Sequence, residues 1–203
     1  MSPRSADPHT RDALIDAAAN ILAAEGSAAL SSRRLASAVG TSTMAVYTHF
    51  GGMDEVHKAV RHKGFATLAA DLDRHGPTGD PVADLATSGA AYVANGVRHR
   101  NLYRAMFIDR PPEEADDTDV FARLLAEVRR CIDAGRFDRA KPSLRTAWAG
   151  ELWTIRHGMV TVALTGLLPA EQLEFMLDDA TYRLCVGFGD DPATAKRSIA
   201  KGS

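Results

Sequence analysis

The chain has 203 residues, 45% hydrophobic and 25% charged, with a formal net charge of -2. That is enough apolar material for a packed core, and it excludes a disordered or wholly nucleic-acid-coating chain. Cys131 and Cys185 match no metal spacing and suit a reducing cytoplasm; no signal-type run or stretch of membrane-spanning length is present, so the expectation is a soluble cytoplasmic protein without cofactor or metal.

Residues 1–9 are polar and contain prolines, and read as a flexible arm. Thr10 can cap a helix whose stripe is Leu14, Ala17, Ala18, Ile21 and Leu22, ended by Gly26. Two short helices follow between Leu30 and Phe50. Ser31 or Ser32 can cap the first, which carries Leu35, Ala36 and Val39 inward; Gly40 turns the chain, and Thr41, Ser42 and Thr43 offer the next cap. The second carries Val46 and Phe50 inward and shows Thr43, Met44, Tyr47, Thr48 and His49 outward. A short, hydroxyl-rich helix with few charges suits a helix-turn-helix that presents its outer face to the DNA major groove; an ordinary pair of surface helices is the alternative at this point. Residues 1–63 hold seven Lys/Arg against six Asp/Glu, a mild positive balance, while the remainder sums to -3.

Gly51-Gly52 break the chain before a long helix from Met53 to about His75, with Asp54 and Glu55 in its first turn. GPTGDP at 76–81 is a linker. A helix from Asp80 or Pro81 carries Leu85, Ala86, Ala90, Tyr92, Val93 and Val97, and a shorter one spans Asn101 to Ile108 before Pro111-Pro112. The acidic run from Glu113 to Asp119 reads as a solvated loop. Val120 to Ala134, Ser143 to about Thr165 and Ala170 to about Val186 read as three further helices, and the rest as a flexible tail over 190–203. No strand pattern occurs. The expected fold is all-α with about nine helices: a helix-turn-helix domain at 10–52, a connecting helix at 53–75 and a larger helical domain at 76–189.

These residues resemble the TetR family of one-component transcriptional regulators. The resemblance rests on Glu25-Gly26, on AxxVGxSxxxVYxHF from Ala36 to Phe50, and on Asp54-Glu55. In the second half, Leu152 to Gly158 is similar to the Trp…His-Gly signature of one branch of TetR-like C-terminal domains. The resemblance implies that Thr43, Met44 and Ala45 open the recognition helix toward base edges, that Tyr47 and His49 meet sugar-phosphate, and that Ser32 and Ser42 bond phosphate. Arg33 matches a position that reaches a base in some members, the commonest specific contact being Arg to guanine. Thr48 is a further candidate to read bases. Many members carry a Lys where this chain has Met53; Lys58 is the candidate replacement. With so few cations, the expected salt dependence is shallow, about 0.9 log units per phosphate contacted.

The resemblance further implies a homodimer through the last two long helices, for which Ala147, Ala149, Gly150, Gly158, Ala163 and Gly166 give close approach. Tyr92, Tyr103, Met106, Phe107, Phe121, Trp153 and Met159 either line a cavity for an apolar effector, with Arg156 or His157 as polar handle, or form a dry core. Trp153 and His157 read equally as core and satisfied histidine; His57 and His62 read as solvated. The expectation is a repressor released from its double-stranded DNA operator by a small apolar molecule. An all-α enzyme or a protein-binding adaptor is the alternative; no Glu-x-x-His pair, Gly-rich phosphate loop or G-x-S-x-G elbow supports the enzyme.

Overall fold

The computed structural model describes residues 8–108 and 118–202. Among these residues there are ten α-helices, one 3₁₀ turn and no strand. They fall into two compact units, one within Met1–Thr67 and His99–Asp116, the other within Leu68–Arg98 and Asp117–Ser203. The first seven residues of the expected arm, and residues 113–117 of the expected acidic loop, lie outside the described residues.

The first unit contains α1 (Pro8–Glu25), the 3₁₀ turn (Ser27–Ala29), α2 (Ser32–Val39), α3 (Thr43–Phe50), the larger part of α4 (Met53–Asp73) and α6 (Arg100–Phe107). Leu14, Leu22, Leu35, Val46, Val56 and Val60 are its almost fully buried centre. The short helices are defined by their ends. Ser31 Oγ accepts the Arg34 amide at 3.2 Å and Ser42 Oγ accepts the Ala45 amide at 3.1 Å, each satisfying a donor that the first turn leaves open. Gly40 closes α2 in the left-handed region (φ 71°), where a side chain would be strained. Leu35 and Ala36 of α2 and Val46 and Phe50 of α3 are buried against α1 and α4, which fixes the turn between the helices.

The second unit contains α5 (Pro81–Arg98), α7 (Thr118–Asp133), α8 (Pro142–Thr165), α9 (Ala170–Gly187) and α10 (Pro192–Gly202). Helix α5 is its axis, packing on α7, α8, α9 and α10. Trp148 stacks on Phe188 at 4.7 Å, and Phe137 meets both edge-on. Cys131 and Cys185 are free buried thiols in this core, and burial pushes Cys185 up to about 12.

Two expectations are corrected here. The stretch read as a flexible tail over 190–203 contains α10, which brings the helices among the described residues to ten, in keeping with the about nine expected. Asp191 accepts the Thr194 amide at 2.9 Å as its cap, and Ala195, Ser198 and Ile199 are buried against the unit. That stripe is short and half polar, so it lacks the apolar signature by which a helix is recognised in sequence. What holds it is a charged network. Arg136 grips both oxygens of buried Asp190 and donates to Asp80 at 2.9 Å and to Ser198 at 3.0 Å; Ser198 in turn donates to Asp80 at 2.8 Å. The helix expected to be capped by Thr10 already includes Pro8, so Thr10 lies within α1 rather than at its cap.

Candidate nucleic-acid interface and effector cleft

The outer face of α2 and α3 is built from residues that the core does not use. Met44 is 71% and Tyr47 49% exposed, and Arg33, Thr43 and Thr48 are exposed beside them. Ser32 and Ala45 are half-buried. Thr48 donates its hydroxyl to the Met44 carbonyl at 2.8 Å, which leaves its oxygen lone pairs and methyl group outward. Ser42 accepts at α3's first turn, so its hydroxyl proton remains free for an anion. His49 is half-buried, and its Nδ1 is buried without a hydrogen-bond partner among the described residues. Only Nε2 of that ring is placed to serve a ligand.

Charge on this face is sparse and selective. Arg34 is committed: its Nη2 lies 2.6 Å from Glu25 Oε1, tying α2 to the end of α1. Its neighbour Arg33 has no partner among the described residues. Lys58 is paired to Glu55 at 2.7 Å on the surface of α4, and Met53 packs part-buried against the core of this unit. Arg11, absent from the sequence expectations, sits on α1 with its guanidinium 5.1 Å over the Phe50 ring. The signal that finds it is tertiary, since 39 residues separate it from that ring.

The residues expected to line a pocket divide between the two units. Tyr103, Met106 and Phe107 belong to the first, where Phe107 packs on Tyr103 at 4.9 Å and edge-on to Phe65. Tyr92, Phe121, Trp153, Arg156 and His157 belong to the second. Tyr92 is buried, Phe121 and Trp153 pack part-buried on the core, and His157 stacks on Trp153 at 5.0 Å. Burial pushes the His157 imidazole below its ordinary range, favouring the neutral ring. Arg156 is buried, donating to the Leu85 carbonyl at 2.8 Å, and its Nη2 lies 3.6 Å from Glu127. A Cβ on Gly89 would lie 3.1 Å from its Nε, so the bare glycine makes room for the guanidinium.

A cleft of about 650 Å³ opens in the second unit between the end of α4, residues 76–78, α5 and α7. Its wall includes Ser88, Arg123, Glu127 and Arg130, and none of the residues expected to line a pocket is on it. Nothing in the sequence pattern marks it, because its charged residues are paired across the fold and none of its lining is aromatic apart from His75.

Two family descriptions match this chain. "Bacterial regulatory proteins, tetR family" covers residues 14–60, and "Tetracyclin repressor-like, C-terminal domain" covers residues 85–184. The chain belongs to the TetR family. It is a DNA-binding transcriptional regulator of the helix-turn-helix type, from a family of transcription factors rather than enzymes. An uncharacterized HTH-type transcriptional regulator of Mycobacterium tuberculosis is 24% identical over 181 residues, which is 88% of this chain and 81% of that protein. In fold, a protein of unknown function from Rhodococcus sp. RHA1 superposes with a TM-score of 0.75 at 23% identity, over 93% of this chain and all of that one. RolR in complex with resorcinol superposes with a TM-score of 0.65 at 16% identity, over 95% of this chain and 94% of that one. Among the described residues no helix is long and apolar enough to cross a membrane.

Proposed function

We propose that this TetR-family chain is a homodimeric repressor whose α2–α3 heads hold operator DNA until a small molecule binds the second unit. The observation that carries the DNA reading is the division of α3: Val46 and Phe50 are buried while Met44 and Tyr47, two residues before and one after Val46, stand exposed. Large side chains are kept in water at a cost unless a surface covers them. In this reading Arg33, Thr43, Met44, Ala45 and Thr48 meet bases, while Ser32, Ser42, Tyr47, His49 and Lys58 fix the head on the backbone. Residues 10–52 are the DNA-binding head, 53–75 the connecting helix and 76–189 the effector and dimer part, to which α10 is added.

The dimer reading is supported by α8 and α9, which leave Leu144, Phe175 and Met176 exposed. An eight-residue recognition helix needs a twin to gain affinity, through two half-sites on one face of the duplex. The likeness to the resorcinol complex of RolR supports a small-molecule effector. Binding would favour a head spacing that no longer fits successive grooves.

The test is a mobility-shift assay on DNA upstream of the chain's own gene, with Tyr47→Ala as the control. Retention by the parent chain and at least tenfold loss in the variant are expected, as a lost backbone-fixing contact on each head demands. No retention at any low salt concentration would sink the reading.

A further inference from the structure

The geometry points to the cleft between α5 and α7 as the effector site, with Glu127 as its anchor and a neutral, hydroxyl-bearing small molecule as its ligand. This rests on the effector reading above and names the site and the chemistry.

Glu127 lies on the cleft wall and keeps 20% of its side chain exposed. One carboxylate oxygen, Oε2, accepts the Ser88 hydroxyl at 2.7 Å and faces Arg156 at 3.6 Å. The other, Oε1, accepts no hydrogen bond among the described residues. Burial pushes this carboxyl above the ordinary carboxylate range, against the pull of Arg156 and Ser88. A carboxylate in such a setting gains more from one further donor than a solvated one does, because the donor replaces water it has already lost.

The rest of the wall decides the ligand's charge. Asp73 is gripped by both arms of Arg123, Asp84 by Arg130, and Glu127 faces Arg156. Among the described residues, three carboxylates are therefore each matched by a guanidinium, two of these on the wall and the third, Arg156, buried outside the cleft lining. An anion entering the cleft would face carboxylates already matched, and a cation would face guanidiniums already matched; either leaves one partner poorly compensated. A neutral molecule disturbs none of these pairs, and its hydroxyl can donate to Oε1. Leu72, Pro77 and Ala126 give the cleft an apolar stretch for the remainder of the molecule. The aromatic residues expected to form the pocket are left to the core.

Three probes that share one ring test this by titration calorimetry on the full chain: benzyl alcohol, benzylamine and benzoate. Benzyl alcohol is expected to bind more tightly than both charged probes. Ala126→Trp, at an exposed position on the cleft wall, should abolish that binding without touching the core. Glu127→Gln should weaken it about tenfold, the loss of one hydrogen bond to a charged acceptor. Tighter binding of either charged probe, no binding of the alcohol up to its solubility limit, or binding that survives Ala126→Trp overturns the proposal. The readout needs no DNA. A mobility shift run beside it separates the two readings: an alcohol that fills the cleft yet leaves DNA retention unchanged overturns the effector role and leaves the site.

Discussion

The Arg11 guanidinium lies 5.1 Å from the centroid of the Phe50 ring, joining the first turns of α1 to the last residue of α3. The arrangement does two things at once. The side chain covers an aromatic that would otherwise be wetted, and Arg11 itself stays exposed beside the end of α3. In the proposed DNA reading, a phosphate contact through Arg11 would offer what Met53 cannot. Arg11→Met separates the two roles, since methionine keeps the apolar cover and drops the charge. The expected outcome is a nearly unchanged melting temperature and a salt slope of DNA binding lower by about 0.9 for each phosphate lost. Fluorescence anisotropy on a non-specific duplex across a salt series reads this directly. An unchanged slope would leave Arg11 as a packing residue only.

Arg33 and Arg34 are adjacent and should behave differently. Arg34 spends its charge on Glu25, whereas Arg33 has no partner among the described residues. Arg33→Gln should weaken operator binding about tenfold or more, within the range of a bidentate base contact, and should relax preference at one base pair. Arg34→Gln should leave base preference alone, because exposed ion pairs contribute little. Equal effects of the two on binding would contradict this division.

Met53→Lys tests the missing anchor from the other direction. Met53 packs part-buried on the core at the start of α4, and a lysine stem can follow the same path while its ammonium reaches solvent. The expected gain is a steeper salt slope, by about 0.9 per added phosphate contact. The expected cost is on the order of 1 kcal/mol in denaturant unfolding, as for most part-buried changes.

The helix-turn-helix was legible because its signals are local. Ser31, Gly40, Ser42 and Gly51 act on amides and carbonyls within four residues, and each does in the fold what its chemistry suggests. The second unit was less legible for the opposite reason. Tyr103 and Trp153 look alike in composition, yet they belong to different compact units, which no periodicity reveals. The cleft at Glu127 depends on carboxylates and guanidiniums up to 50 residues apart, as in the pair of Arg123 with Asp73. Helix α10 was hidden because Ser198 is buried through hydrogen bonds to Arg136 and Asp80 rather than through apolar area.

That last network predicts both a mutational and a pH response. Arg136 is the shared donor of Asp80, Asp190 and Ser198, and Asp190 keeps only 2% of its side chain exposed. Arg136→Met leaves a buried carboxylate without its counter-charge, which should cost about 3–5 kcal/mol and release α10. Urea unfolding gives the first quantity, and hydrogen exchange over residues 192–202 the second. Burial alone would raise the Asp80 carboxyl, but Ser198, the Ala83 amide and Arg136 together hold it below the ordinary carboxylate range. A carboxyl lowered on folding stabilises the fold at every pH above its unfolded value, about 4. That contribution is lost as pH falls through the lower folded value. Stability should therefore hold from neutrality to about pH 4 and decline below it. Asp80→Asn should flatten that decline while lowering stability at neutral pH; a variant with the parent's acid profile would show that Asp80 is not the group responsible.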